Sequence, residues 1–429
     1  MRLHNKFFCC IVVLCLNVCF TSFAKKADST RFKIGFQQTM INQYAIDNPK
    51  MIGSSTLFAT GNTFTDPTIR TSYSATAFID YFISKRFLLH CDPEITAGGG
   101  VGNALGIAGY VNGEVVRVGA SPNILTISRL YLQYKDDHFN IKLGKLSLVD
   151  MFSNSTYSHD PRTSLMNWSM MTAGAWDFCG NTKGYTYAFV TEWHGKHDEL
   201  KFGVGVEPMT SNGLLALYQP LDLSIQFSNG FGYNLEYNHI CLNDRLRAGV
   251  TQYLNQEYGA EYSKAIHTKA MDDSIINNIS ASLYTARSFG NKFGFAFHAD
   301  YAFTKDLGAF TYVSWNDGHR EIWAFAEIDR SVCVGLSYNI NQSSNFVAGY
   351  SINGISPEHA DFLKKGGYTF MLGDGGLNYG LEHAVELQYC VRLNKNIVVS
   401  PDFQFIVNPG YNTANDAVSV FGVRTHLEF

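Results

Sequence analysis

Long segments in which apolar and polar side chains alternate constrain this chain more than any other feature. In the segment 293–303, for example, Phe295 and Phe297 fall on one parity and His298 and Asp300 on the other. Successive side chains of a β-strand point to opposite faces, so the pattern predicts strands with one apolar and one polar face. The segments run for about ten residues, the length that a tilted strand needs to cross a bilayer, whereas strands of soluble proteins average about 5–6 residues. Because a backbone in lipid must pair all its polar groups, such strands must close into a barrel.

Sixteen segments of this kind can be placed along the chain. They are 31–39, 75–84, 86–96, 127–136, 138–147, 184–194, 198–207, 231–241, 245–254, 293–303, 308–316, 323–340, 344–352, 384–393, 396–407 and 417–429. Two further stretches, 220–228 and 278–286, are assigned to loops: adding both puts the long segment 255–277 on the side of the short turns, and adding one makes the count odd. The sequence therefore predicts an all-β fold, an antiparallel transmembrane β-barrel of sixteen strands with short periplasmic turns and long extracellular loops.

Both ends of the chain indicate export and insertion into an outer membrane. A basic start, an apolar run over 7–20 and small residues up to Ala24 predict a cleaved signal peptide over 1–24 and one barrel domain over 25–429. At the other end the alternation closes on an aromatic last residue, Phe429, which is typical of a strand read by barrel-assembly machinery. We therefore expect a barrel in the outer membrane of a Gram-negative bacterium, with that machinery and outer-membrane lipid as partners.

Composition and motifs exclude several other classes of function. The net charge of −4 leaves no basic footprint for nucleic acid. The sequence holds no H-E-x-x-H, G-x-S-x-G or P-loop pattern, so we predict no enzyme, no cofactor and no metal site. The cysteines beyond the signal peptide are odd in number and lack a C-x-x-C pair, so they do not predict a disulfide framework. They are interpreted as small apolar residues of strands, with other roles left open: Cys91, Cys179, Cys241, Cys333 and Cys390.

The polar parity of the strands predicts the wall of a lumen, since sixteen strands enclose a water-filled channel. Most of these residues are expected only to make the wall of the lumen hydrophilic, because selectivity is set where a pore is narrowest. The acidic ones are Asp80, Asp92, Glu94, Glu192, Glu207, Glu236, Asp300, Glu327, Glu386 and Asp402. The basic ones are Lys33, Lys142, Arg247, Arg392 and Arg424. The acidic excess argues mildly against a channel for anions.

A constriction requires a loop that folds inward, and two long loops are candidates. The glycine-rich loop 97–126 carries Glu114 and Arg117. The loop 148–183 carries a mixture of charged and aromatic residues, namely Asp160, Arg162, Trp168 and Trp176. Such a mixture suits sugars, whose hydroxyls bond to charged groups and whose C–H faces pack on rings. Two alternatives stay open: the tryptophans pin the loop to the wall, and residues 160–162 form a turn closed by their own ion pair.

Several ordered segments resemble the carbohydrate-selective porin family of the OprB type. They are GIAGYVNGE (106–114) with Arg117, GKLSLVDMF (144–152), WSMMTAGAWD (168–177), WAFAEIDR (323–330), NGISP (353–357) and LGDGGLNYG (372–380). The likeness spans about residues 75–429. It implies a sixteen-stranded outer-membrane porin for monosaccharides, with inward loops and a charged eyelet rich in arginine. Carried over position by position, it favours as eyelet residues Arg117, Glu114, Asp160, Arg162 and Trp176; Trp168, Asp92 and Glu94 complete our candidates.

The expected function is passive diffusion of small sugars through a polar lumen with weak, multiple contacts. Two alternatives are a general or non-selective porin and a barrel that binds polysaccharide at the cell surface with a blocked lumen. The sequence does not distinguish among sugars, does not indicate gating, and leaves both a monomer and a homotrimer open.

The predicted signal peptide can be tested on protein isolated from outer membranes. Intact-mass measurement should give a chain that begins at Lys25. A chain that retains residues 1–24 would contradict the prediction.

Overall fold

The computed structural model describes residues 31–46, 69–98, 101, 106–114, 124–180, 184–207, 230–267, 283, 285–322, 327–367, 369, 372–373 and 375–429. The predicted signal peptide, Arg117 and the stretch 220–228 lie outside the described residues, as does most of 278–286.

The described residues form sixteen strands, each paired antiparallel with its neighbours in the chain, and the first pairs with the last to close a barrel. The strands are β1 (Phe32–Ile46), β2 (Ile69–Phe82), β3 (Phe87–Gly98), β4 (Ile124–Lys135), β5 (Phe139–Leu146), β6 (Thr186–His194), β7 (Asp198–Val206), β8 (Phe231–Cys241), β9 (Leu246–Ala260), β10 (Arg287–Ala302), β11 (Leu307–Asn316), β12 (Arg330–Asn341), β13 (Ser344–Gly354), β14 (Glu382–Arg392), β15 (Ile397–Val407) and β16 (Val418–Glu428). The predicted sixteen-stranded antiparallel barrel is confirmed.

Several predicted boundaries are wrong. Four strands extend beyond the predicted segments: β1 ends at Ile46, β2 begins at Ile69, β9 ends at Ala260 and β10 begins at Arg287. The segment 323–340 contains a strand that begins only at Arg330. The residue before it, Asp329, turns its carboxylate toward the next loop and accepts the N–H of Ser356 at 2.7 Å. The alternation of apolar and polar residues in the sequence begins before the strand does, so it does not reveal this change of direction.

Short helices complete the described part of the chain. They are α1 (Trp168–Met171), α2 (Tyr262–His267), α3 (Pro357–Lys364) and a 3-10 helix over Pro409–Tyr411. Among the described residues no helix is long and apolar enough to cross a membrane.

The two faces of the wall differ as the alternation predicts. On β10, Phe293, Phe295 and Phe297 are exposed on the outside, where lipid surrounds the barrel, and Ala296 and His298 between them are buried inside. The same outward exposure of large apolar residues recurs on the other strands. The outer surface is therefore apolar, but its side chains are exposed and do not form the buried core of the protein.

The apolar core lies inside the barrel and is built largely by the two inward loops. Residues 106–114 and 148–180 contribute buried side chains that pack on one another and on the wall. Val111 and Phe152 are completely buried there, as are Leu165 and Met170. The loops thus fill a large part of the lumen, and only the remaining part is left for solutes.

The barrel seam gives a prediction about the last residue. The N–H of Phe429 donates to the carbonyl of Phe36 at 2.9 Å, and the N–H of Phe36 donates back at 3.1 Å. Deleting Phe429 removes both bonds, each contributing about 0.5–1.5 kcal/mol, from the joint between the first and last strands. We expect less closed barrel in heat-modifiable gel mobility, whereas Phe429→Tyr, which keeps the backbone and an aromatic ring, should assemble normally. Equal assembly of the deletion variant would contradict this.

Candidate functional site

Two carboxylates on one strand hold both inward loops by their backbone N–H groups. Glu382 of β14 accepts the N–H groups of residues 108 and 109 at 2.9 and 2.8 Å. Glu386, four residues further along the same strand, accepts those of 166 and 167 at 2.6 and 2.9 Å. All these groups are buried, so the carboxylate oxygens replace water as acceptors for the loop N–H groups. β14 therefore anchors both loops.

Residues on other strands hold the remainder of the loop 148–183. Asp300 of β10 accepts the hydroxyl of Ser155 at 2.5 Å and the N–H of Thr156 at 2.7 Å. Arg424 of β16 donates to the carbonyl oxygen of Pro161 at 2.8 Å. Four residues that were expected only to make the lumen wall hydrophilic hold this loop instead: Glu236, Asp300, Glu386 and Arg424.

The charge count made from the sequence does not describe the open lumen. Glu207, Glu236 and Glu386 are completely buried. Glu236 pairs with Lys201 at 3.0 Å, a cation that the count omitted. Because these charges lie beneath the loops or in ion pairs, the acidic excess gives no argument about the preference of the channel for cations or anions.

Both candidate tryptophans belong to the interior of the inward loop. Trp168 is 3% and Trp176 1% exposed. The indole N–H of Trp168 donates to the carbonyl of Gly174, and that of Trp176 to the side chain of Asn234, both at 3.1 Å. Their positions agree with the alternative in which the two rings hold the loop in place. Neither ring offers an open face to a solute.

A first charged cluster lies between the wall of β2–β4 and the start of the loop 148–183. Arg129 of β4 donates to Asp150 from Nε at 2.8 Å and from Nη2 at 2.6 Å, and its Nη1 lies 3.2 Å from Asp92. The ring of His90 lies between two carboxylates, with Nε2 2.7 Å from Asp92 and Nδ1 2.6 Å from Asp80. The side chain of Asp150 is 40% exposed, so the cluster faces water.

A second charged cluster surrounds Arg162 of the loop. Its Nε donates to Glu114 at 2.6 Å, and its Nη2 donates to Glu94 at 3.2 Å. The hydroxyl of Tyr185 approaches Glu94 at 3.3 Å, and that of Ser74 bonds to Glu114. Four predicted site residues, from β3 and from both inward loops, thus lie together beside the first cluster: Asp92, Glu94, Glu114 and Arg162.

Asp160 shapes the turn that presents Arg162. It has a left-handed backbone, with φ of 75°, and its carboxylate accepts the N–H of Arg162 at 3.0 Å. The guanidinium itself pairs with Glu94 and Glu114. The turn is therefore closed by a side-chain-to-backbone bond, and the alternative of a turn closed by its own ion pair is wrong.

Sequence reasoning missed Arg129 and Tyr185. Arg129 shares the inward parity of Gln133, so the alternation of β4 was sufficient to find it. A register shift at Ser128, between the pairs Asp92–Arg129 and Pro93–Ile127, lies directly before Arg129 and changes the parity of the inward side chains at the start of the strand. Tyr185 falls in the predicted segment 184–194 on the parity opposite to the inward Glu192, whereas the structure places it just before β6 begins.

Comparison with protein-family models gives one match. The model described as the carbohydrate-selective porin, OprB family, matches residues 83–429. The chain belongs to this family. It is accordingly a porin of the Gram-negative outer membrane, with carbohydrates as the solutes of its family.

Solved structures agree on the fold of this OprB-family porin. The high-pH structure of Pseudomonas putida OprB superposes with a TM-score of 0.68 at 14% identity and covers 93% of this chain and 94% of that one. The outer-membrane channel DcaP of Acinetobacter baumannii gives 0.52 at 11% identity, covering 94% and 99%. An anion-selective porin from Comamonas acidovorans gives 0.53 at 9% identity, covering 93% and 99%. No curated protein matches the chain.

Removing the Glu386 anchor should loosen the constriction. Glu386→Ala deletes two hydrogen bonds, each contributing about 0.5–1.5 kcal/mol, and leaves two buried N–H groups without an acceptor. We expect a larger and noisier single-channel conductance in planar bilayers and a lower unfolding temperature. Glu386→Gln, which keeps one acceptor oxygen, should fall between the variant and the wild type, and Gln133→Ala on the open wall should resemble the wild type. An unchanged conductance in Glu386→Ala would refute the anchoring role.

The ionic selectivity of the open lumen should depend on pH through Glu114. Burial raises the pKa of the Glu114 carboxyl above its usual range, and the Arg162 guanidinium opposes that rise only in part. As the pH falls through this raised pKa, the carboxylate beside Arg162 is neutralised and the local charge becomes more positive by one unit. We expect the permeability ratio of cations to anions to fall, measured as a reversal potential in a salt gradient.

A matched pair of variants isolates that effect. Glu114→Gln should show the low-pH selectivity already at neutral pH and should lose the pH-dependent step. Glu358→Gln, on the exposed side of α3, should keep the wild-type profile. If Glu114→Gln retained the full step, another group would be responsible.

Proposed function

We propose that this porin passes monosaccharides by passive diffusion through a constriction formed by the two charged clusters. The observation that carries the proposal is the arrangement of Arg129 and Arg162, each between two carboxylates, inside the barrel beside β3 and β4. Guanidinium N–H donors and carboxylate acceptors then alternate along the path. A sugar offers hydroxyls that both donate and accept, so it can exchange partners at each step without a deep minimum.

An aromatic face beside the first cluster supports a preference for sugars. The ring of Tyr131 stacks on His90 with a centroid separation of 4.6 Å, and the ammonium of Lys142 lies 5.4 Å from its centroid. Tyr131 is partly exposed on the lumen side of β4. An aromatic ring among polar groups suits the C–H face of a pyranose. Tyr131 therefore takes the role that the sequence suggested for the two tryptophans.

Other expectations extend this proposal. Arg117 lies outside the described residues and stays an eyelet candidate on the strength of the family resemblance. A homotrimer and recognition of the last strand by barrel-assembly machinery likewise stay proposals. No energy source or cofactor enters the proposed mechanism, since diffusion down a gradient drives the flux.

Liposome swelling tests the proposal, with glucose, a disaccharide and an amino acid similar in size to glucose as solutes. We expect glucose to enter fastest. Arg129→Ala and Arg162→Ala should each reduce the rate ratio of glucose to the amino acid by a factor of about five, which corresponds to one hydrogen bond of about 1 kcal/mol. Arg129→Lys should lose much of the ratio too, because an ammonium does not reproduce the bidentate contact.

The control is Arg86→Ala, since Arg86 lies exposed in the turn between β2 and β3. It should leave the ratio unchanged. Equal rates for glucose and the amino acid in the wild type would reduce the proposal to a general porin. No swelling with a folded barrel would favour the surface polysaccharide-binding alternative.

A further inference from the structure

A polar cavity of about 450 Å³ lies beside the inward loop 148–183. It is on the side of this loop that faces away from the extracellular loops. The loop contributes Thr156, Tyr157, His159, Thr163 and Ser164 to its lining, and the remainder comes from the two turns after β10 and β12 and from the neighbouring strand ends. Short turns of this type face the periplasm, so the cavity lies at the periplasmic mouth. Its size falls within the range of about 300–1,000 Å³ that is typical of small-molecule sites.

The lining of this cavity, which we call the exit cavity, is rich in amide and hydroxyl groups. The amide of Asn345 donates to the hydroxyl of Ser337 at 3.0 Å and to the side-chain oxygen of Asn339 at 2.8 Å. Ser344, also in the lining, is buried, and within the described part of the chain its hydroxyl has no hydrogen-bond partner. Amides and hydroxyls both donate and accept, which is the complement that sugar hydroxyls require.

One aromatic ring projects from the loop into the wall of the exit cavity. Tyr157 lies over Gly308, and a Cβ at that glycine would stand only 2.1 Å from the Cζ atom of the ring. The ring therefore has its place because residue 308 has no side chain. Tyr157 supplies an aromatic surface beside the amides, a combination that suits a pyranose ring.

Charge distinguishes the exit cavity from the constriction. Lys305 and Asp306 are 3.9 Å apart on a turn, with Lys305 largely in water, and Arg392 is exposed. The dense pairing of guanidinium and carboxylate groups around Arg129 and Arg162 has no counterpart among the described residues of this lining. The cavity therefore suits neutral solutes rich in hydroxyls.

We propose that the exit cavity is a second carbohydrate subsite, which a sugar occupies after it has passed the constriction. This inference rests on the proposed function, because it takes sugars as the solutes of the channel. A weak second site next to the outlet would accept a sugar from the constriction and release it to the periplasm, so that transit proceeds by two shallow steps.

A native cysteine in the lining allows a direct test. Cys390 lies in the exit cavity and is partly exposed, with its sulfur 3.4 Å from the carbonyl oxygen of Thr163. The full-length protein in detergent would carry Cys91→Ser and Cys241→Ser, which remove the other partly exposed thiols among the described residues. The rate of Cys390 modification by a methanethiosulfonate reagent would be followed by mass spectrometry with and without glucose.

We expect glucose to slow the modification of Cys390 several-fold and the size-matched amino acid to leave it unchanged. In detergent the reagent reaches Cys390 from the periplasmic mouth, so a sugar in the constriction alone gives no protection. Asn345→Ala and Asn339→Ala should remove the protection while keeping the rate without glucose. Both residues lie on the wall away from the loop anchors, so the loop should keep its position.

The outcomes separate the two proposals. Glucose-preferring swelling without protection of Cys390 would overturn the exit subsite and leave the proposed function standing. Protection that persists in both asparagine variants would also overturn the assigned site. Swelling without any sugar preference would contradict the proposed function whatever happens at Cys390.

Discussion

The pair of glutamates on β14 is the interaction on which the interior of this porin depends. A loop that crosses a barrel brings backbone N–H groups into a region where other protein groups displace water, and each of those donors needs an acceptor. Glu382 and Glu386 provide acceptors for two different loops within one stretch of one strand. Once the loops are fixed there, their apolar side chains can pack on each other, and a core forms inside a barrel whose outer surface is apolar as well.

The anchors also position the charged residues of the loop 148–183. Because bonds from β10, β14 and β16 fix this loop, Asp150 and Arg162 lie against β3 and β4, where Arg129 and Arg162 meet their carboxylates. Charged residues inside the barrel therefore have two separate tasks. Those beneath the loops keep the interior in place, and those around Arg129 and Arg162 form the constriction in our proposal.

The sequence predicts the strands well and the interior poorly, for a physical reason. A strand repeats every two residues, so local alternation is sufficient to place β10 and β16 and to close the barrel. The bond from Met166 to Glu386 joins residues 220 positions apart, and no local pattern contains it. Trp168 shows the same limit, since an indole among polar residues suits a sugar and a loop core equally well. Arg129 is different, because the alternation of β4 already indicates that its side chain points inward. It was simply omitted from the predicted inward-facing residues.

The distribution of the anchors has a consequence for biogenesis. The residues that fix the segment around Arg162 come from β3, β14 and β16, and β16 is the last strand of the chain. Before β16 has joined the sheet, the contact from Arg424 to Pro161 is missing. The segment around Arg162 is therefore fully fixed only when the last strand of the chain is in place.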